Sequence, residues 1–217
     1  MTDVTVARGP HALQLLWSDD ALVAVDKPAG QLAVPGRGDD KSDCTWTRVR
    51  AQWPDALVVH RLDQATSGLL LFARGLAVQR VLSRAFAERH VDKRYTAVVH
   101  GLLADDEGRI DLPLAADWPQ RPRQRIDHDT GKAALTAYTV LQRDAAAQRS
   151  RLALQPLTGR THQLRVHLAA IGHPIVGDAV YGDGLDRAER LLLHAERLQL
   201  AHPLDGRPLH LFRASPF

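Results

Sequence analysis

LVVHRLDQATSGLLLFA, residues 57–73, sets an apolar run on each side of a charged and polar loop. Leu57 to Val59 reads as a short strand that ends at His60, and Leu69 to Ala73 as a strand buried on both faces. Between them lie Arg61, Leu62 and Asp63, followed by a turn through Thr66, Ser67 and Gly68. Both ends of this loop are tied to core strands, so its charges are held close to the interior. A buried carboxylate is destabilising unless it is paired or put to use. Two readings stay open on these residues alone: an Arg61–Asp63 bridge that fixes the turn, or a carboxylate kept for chemistry.

Outward from this loop, strands and helices mix without a strict βαβ alternation. Leu13 to Trp17 and Ala21 to Asp26 form a strand pair turning at Ser18-Asp19-Asp20, and Lys27-Pro28-Ala29-Gly30 breaks the second strand. Leu32 to Pro35 resumes an extended run. Trp46, Val49 and Trp53 recur at helical spacing after Ser42 or Asp43, either of which could cap a helix. Val78, Val81, Leu82, Ala85, Phe86 and Arg89 predict an amphipathic helix over 76–90. KRYTAVVHG alternates, with Lys93, Tyr95, Ala97 and Val99 on one face. Strands follow at 134–141 and 151–156, then a helical stripe of Leu164, Leu168 and Ile171 that stops at Gly172 and Pro174. Stretches 191–200 and 209–213 close the chain as strands around an Asp205-Gly206 turn. The pattern predicts an α+β fold, a single domain over 13–217 whose mixed, largely antiparallel sheet is flanked by helices and loops, after a loose leader at 1–12.

Several function classes are excluded. No apolar stretch approaches the about 20 residues of a membrane span, and Thr2-Asp3-Val4 is not the start of a secretory signal. The single cysteine, Cys44, cannot form an internal disulfide and fits a reducing cytoplasm as an inert thiol. There is no phosphate-binding glycine loop, C-x-x-C, H-E-x-x-H or G-x-S-x-G pattern. His162 and His167 would stand about 140° apart on a helix, too far to share a metal.

A net charge of +3 says little by itself, but its distribution says more. PQRPRQRI, residues 119–126, carries Arg121, Arg123 and Arg125 without an acid, and 158–173 adds Arg160, Arg165, His162, His167 and His173 without a carboxylate. These segments suggest a phosphate-contacting surface, against the plainer alternative of solvated loops and an ordinary helix face. Arg160 stands at the start of the helix whose apolar stripe begins at Leu164. It can reach into a cleft or simply sit as a surface cation.

HRLDQATSGLLL resembles the catalytic motif of the RluA family of pseudouridine synthases. AVDKPAG, KRYTAVVHG, TGRTHQLRVHLAAIGHPIVGDAVYG and LLLHAERLQL are similar to further family segments, in the family's order, so the likeness runs from about Leu13 to Phe217. LAVPGRG and DLPLAADWPQRPRQRIDHDTGKAALTAY are similar to the RluA branch in segments where the wider family varies. The resemblance implies that Asp63 is the essential carboxylate in a reaction that detaches uracil at N1, rotates it and rejoins it through C5, with no metal or organic cofactor. It implies that Arg160 pairs with this aspartate, that Tyr95 stacks on the target base and that Leu164 packs beside the tyrosine. Arg61 would fill the space of the flipped nucleotide, and Lys27 and Pro28 would shape a pocket wall.

The expected partner is RNA, in stem-loops of large-subunit rRNA and the tRNA anticodon arm, with Arg121, Arg123 and Arg125 on its phosphates. No S4-like module precedes the domain in this reading, and the enzyme is a cytoplasmic monomer with no obligate protein partner. Competing readings are the same isomerase on another RNA loop, a silent RNA-binding module, and a glycosidase. The last lacks a recognisable second carboxylate.

Overall fold

The structure is a computed structural model and describes residues 13–36, 38, 41–182, 184 and 188–217. The expected leader at 1–12 lies outside the described residues. In chain order the elements are β1 (Gln14–Ser18), β2 (Leu22–Lys27), α1 (Thr45–Arg50), β3 (Ala56–Val58), β4 (Ser67–Arg74), α2 (Gly75–Ala87), β5 (Asp92–His100) and β6 (Glu107–Asp111). Then come β7 (Leu114–Ala116), β8 (Gln124–Ile126), β9 (Leu135–Asp144), β10 (Arg149–Pro156), α3 (Gln163–Ala170), β11 (Leu193–Ala201) and β12 (Pro208–Phe212). The chain divides into two compact units, Met1–Lys93 with Ala195–Pro216, and Arg94–His194 with Phe217.

In the first unit the strand order is β1-β2-β4-β11, with β3 also on β4 and β12 on β11. Strands β2 and β4 run antiparallel from Leu22 opposite Ala73 to Lys27 opposite Gly68. Every residue from Ser67 to Ala73 is buried, which is why this strand reads as a continuous apolar run with no alternation. Leu22, Leu69 and Leu71 join Val78 and Leu82 of α2 and Leu198, Leu200, Leu209 and Leu211 in one core. Each such leucine contributes about 1.5–3 kcal/mol relative to exposure. Gly68 has φ +110, and a Cβ there would lie 2.3 Å from the Ala195 carbonyl oxygen, so the strand accepts only glycine.

Two local expectations fail in this unit. Helix α1 is capped by Cys44, not by Ser42 or Asp43: its thiol accepts from Thr47 N at 3.4 Å while Thr47 Oγ1 accepts from Cys44 N at 3.0 Å. Asp43 is turned instead to Arg48, whose Nε donates to it at 2.7 Å. The extended run expected at Leu32 to Pro35 is a series of bends. The carbonyls of Leu32 and Ala33 accept from Thr45 N at 2.8 Å and Trp46 N at 3.1 Å, so they serve the open N-terminus of α1 and not a sheet.

In the second unit the order is β5-β10-β9-β6, each pair antiparallel, with Tyr95 opposite Leu154. Strands β7 and β8 form a small separate hairpin, Leu114 opposite Ile126 and Ala116 opposite Gln124. Helix α3 departs from the predicted one-sided stripe. Gln163 through Leu168 are all buried, including Arg165 and His167, whereas Ile171 is exposed.

Candidate active site

In the first unit the loop between β3 and β4 carries Arg61 and Asp63 on either side of buried Leu62; Arg61 is exposed and Asp63 half-buried. The Asp63 carbonyl accepts from Thr66 N at 3.1 Å, closing the turn into β4. The loop is fastened at its next residue. Lys27, whose whole side chain is shut off from solvent, donates from Nζ to Pro28 O at 2.8 Å, Gln31 O at 2.8 Å and Gln64 O at 3.0 Å. Gln64 O also accepts from Gly30 N at 2.9 Å, and Gln64 Nε2 donates to Gly30 O at 3.0 Å. The two segments KPAG and HRLDQ are therefore one bonded assembly around a buried ammonium. Charge-assisted bonds of this kind are the strong ones, and they hold the backbone beside Asp63 in place.

His60 supports the same loop from its other end. Its Nε2 accepts from Leu71 N at 3.0 Å, and its ring stacks on Phe86 with centroids 4.6 Å apart. Burial, and then the nearby Lys93 ammonium, push the imidazole down to about 3, so His60 stays neutral and accepts.

In the second unit Tyr95 is half-buried on β5, and Leu164 is buried in the first turn of α3. Arg160 is exposed in the turn ahead of α3, where its Nε donates to Ala133 O at 3.1 Å. Buried Gln163 organises that turn. Its Oε1 accepts from Thr158 Oγ1 at 2.7 Å and Arg160 N at 3.0 Å, and its Nε2 donates to Leu135 O and Thr136 Oγ1, both at 3.0 Å. His162 enters the helix with φ 54, a left-handed backbone uncommon outside glycine but one that histidine adopts more readily than most side chains. Its Nδ1 lies 2.8 Å from the Tyr181 hydroxyl.

Tyr181 is the centre of a second buried network. Its hydroxyl accepts from Gln124 N at 2.8 Å and shares a second hydrogen bond with His162 Nδ1. Burial raises its phenol above the ordinary value, so it remains a donor. The guanidinium groups of Arg165 and Arg123 stand 5.1 and 5.3 Å from its ring centroid. Arg165 makes a two-pronged pair with Asp178, both bonds 2.7 Å. Burial alone would raise the Asp178 carboxyl; the Arg165 bonds and charge, with N–H groups of Val180 and Tyr181, outweigh it and hold it below the usual range. Arg165 and His167, counted with the basic segment in the sequence, therefore belong to the interior. His167 lies 3.0 Å from Thr136 Oγ1 and 2.9 Å from Leu112 O.

The other basic segment forms β8 and the loop before it. Arg121 lies over the Trp118 ring at 3.4 Å. Arg125 pairs with Asp127 at 2.8 Å. The N–H of Thr130 first, and the Arg125 guanidinium second, hold Asp127 down to about 2.

The family description "RNA pseudouridylate synthase" matches residues 21–170. The chain is 48% identical over 198 residues to the dual-specificity RNA pseudouridine synthase RluA of Yersinia pestis, covering 90% of this chain and 96% of that one. The chain belongs to the RluA family of RNA pseudouridine synthases. Over 196 residues it is also 48% identical to the protein of the same name from Escherichia coli strain K12, covering 89% of each. Among solved structures, human RNA pseudouridylate synthase domain containing 1 superposes with a TM-score of 0.79 at 31% identity, over 94% of this chain and 84% of that one. Human RNA pseudouridylate synthase domain containing 4 shares the fold, with a TM-score of 0.72 at 24% identity over 93% and 88%.

As an RluA-family synthase the chain is an isomerase acting on RNA, and its α+β fold is that of this family. Among the described residues no helix is long and apolar enough to cross a membrane. Two supporting residues of this synthase, Gln163 and Tyr181, are not singled out by its sequence. Lys27 is singled out there as a structural residue of KPAG, and its three bonds to carbonyl oxygens make it a clamp. The signal present is a polar or charged side chain inside an apolar stretch, such as the lysine after LVAVD.

Proposed function

We propose that the chain converts uridine to pseudouridine in stem-loops of large-subunit rRNA and of the tRNA anticodon arm, with Asp63 as its catalytic carboxylate. The observation that carries this reading is 48% identity, across nine-tenths of the chain, to a relative named for dual specificity. In the reaction the N1–C1′ bond breaks, the base turns, and a C5–C1′ bond forms. The C5 proton leaves and N1 takes one up, so the product is an isomer.

Asp63 acts ionised, either on C1′ directly or by removing the 2′ proton. Arg160, the arginine that the resemblance matches to the family's partner for this aspartate, serves the same reaction. Tyr95 offers an aromatic face to the uracil, with Leu164 beside it, and assists loss of the C5 proton. Arg61 takes the place of the extruded nucleotide, whose removal from a stack costs a few kcal/mol and less in a loop. Arg121, Arg123 and Arg125 meet the backbone phosphates. The enzyme works in the cytoplasm as a monomer, without an obligate protein partner, metal or organic cofactor, and residues 13–217 form its catalytic domain.

The test uses large-subunit rRNA fragments and tRNA transcripts, each labelled with tritium at uridine C5. Release from both is expected. Release from one alone would replace dual specificity with a single target, and release from neither would overturn the activity.

A further inference from the structure

Trp118 stands apart from the other tryptophans. The indole N–H of Trp17 donates to Asp19 at 2.9 Å and that of Trp46 to Ala56 O at 3.0 Å, and Trp17, Trp46 and Trp53 are all half-buried. Trp118 is 66% exposed, even with Arg121 lying 3.4 Å from its ring centroid. It does not sit on a loose tip. Asp117 N donates to Arg123 O at 3.0 Å, Gln120 N to Asp117 O at 3.1 Å and Arg123 N to Gln120 O at 3.0 Å, so the loop is closed on itself. The next residue, Gln124, is bonded to Tyr181. A large flat apolar ring is thus held outward on an ordered support, with one guanidinium stacked on it and a second, Arg123, two residues on.

We propose that this loop, Asp117–Arg123, is a stacking platform for an unpaired base of the RNA substrate, the Trp118 indole taking the base on the face that Arg121 leaves open. The proposal rests on RNA being the ligand of this synthase. Every base has a π face, and aromatic and guanidinium planes are the groups that proteins use to hold splayed bases. The segment Pro119–Ile126 carries three arginines and no acid, which suits the phosphates flanking such a base. Because the loop is already ordered, little conformational entropy is lost when the base docks.

The experiment compares two probes: a synthetic RNA hairpin with a single-stranded, uridine-containing loop, and a blunt duplex with the same stem. Binding is measured by anisotropy for the wild type, Trp118→Ala, Trp118→Leu and Trp118→Phe, with thermal melts to confirm folding. The alanine variant is expected to bind the hairpin about 10-fold more weakly, within the contribution of one stacked base. Its duplex affinity stays unchanged, phenylalanine restores most of the loss, and leucine does not. Hairpin binding that is unchanged in Trp118→Ala would overturn the proposal, as would equal loss on both probes or leucine performing as well as phenylalanine. The readout requires no turnover, so absence of tritium release from the wild type would sink the proposed activity and leave the stacking result to be judged separately.

Discussion

The loop around Asp63 and the hairpin that carries Arg123 and Arg125 secure their charges in different ways. The first hangs between buried strands, and the backbone at Gln64 is bonded to an ammonium wholly removed from water. The second leaves Arg125 exposed and Arg123 half-buried against Tyr181, and takes its rigidity from short backbone bonds and from Tyr181 at its base. A group that must present one carboxylate in one position gains from burial, where misplacement leaves polar atoms unpaired. A surface that must meet a flexible polyanion gains from staying hydrated and accessible. The contrast predicts large, stability-linked effects at the first site and small, salt-linked effects at the second.

Lys27→Met breaks the contrast where it is strongest. Three carbonyl oxygens are deprived of their shared donor, and we expect a loss of about 3 kcal/mol in urea unfolding, together with lower turnover in the molecules that remain folded. A loss below about 0.5 kcal/mol would remove the clamp from the account, since that is the scatter of ordinary surface changes.

His60 sharpens it through pH. The folded protein keeps this imidazole neutral down to about 3, while an unfolded chain protonates near the ordinary histidine value of 6.5. Between those values the unfolded state binds the additional proton, so stability is intact above this window and falls as pH drops through it, by up to about 1.4 kcal/mol per unit. His60→Gln retains an acceptor for Leu71 N and should flatten the fall in urea midpoints measured between pH 6.5 and about 5.

At the hairpin, Tyr181→Phe removes the bonds to Gln124 and His162 but keeps the ring between two arginines. About 1 kcal/mol of stability should go, and binding of substrate RNA should weaken more than the rate at saturating RNA. The smallest structural effect is expected from replacing Arg121, Arg123 and Arg125 together by alanine. Folding stays intact, and the salt dependence of RNA binding becomes shallower by up to about 0.7 for each phosphate that is no longer neutralised. The Asp127 pairing makes Arg125 the least effective of the three.

The sequence disclosed the first site far better than the second. A strand buried on both faces cannot hide, and Leu69 to Ala73 announced β4, although the turn expected through Thr66, Ser67 and Gly68 lies at Gln64-Ala65 and the strand already begins at Ser67. The amphipathic spacing of Val78, Leu82 and Phe86 likewise located α2, predicted over 76–90 and observed over Gly75–Ala87. Strands β7 and β8 are three residues each, too short to show a period, and their segment read only as basic. Helix α3 deceived for another reason. Arg165 is interior because Asp178, distant in sequence, neutralises it, and no local pattern reports a partner thirteen residues on. Cys44 capped a helix that Ser42 and Asp43 would have suited, because the carbonyls of Leu32 and Ala33 fixed where α1 begins. The roles of Asp63, Tyr95 and Arg160 came from resemblance; on residue types alone Asp63 read as readily as a bridge to Arg61, and Arg160 as a surface cation.

The central claim is that one carboxylate carries the isomerisation, and Asp63→Asn tests it with almost no change in shape. Tritium release from RNA labelled at uridine C5 should fall to background in this variant, while its melting temperature and its affinity for the same RNA stay close to those of the parent. Release at a substantial fraction of the parental rate would contradict the account.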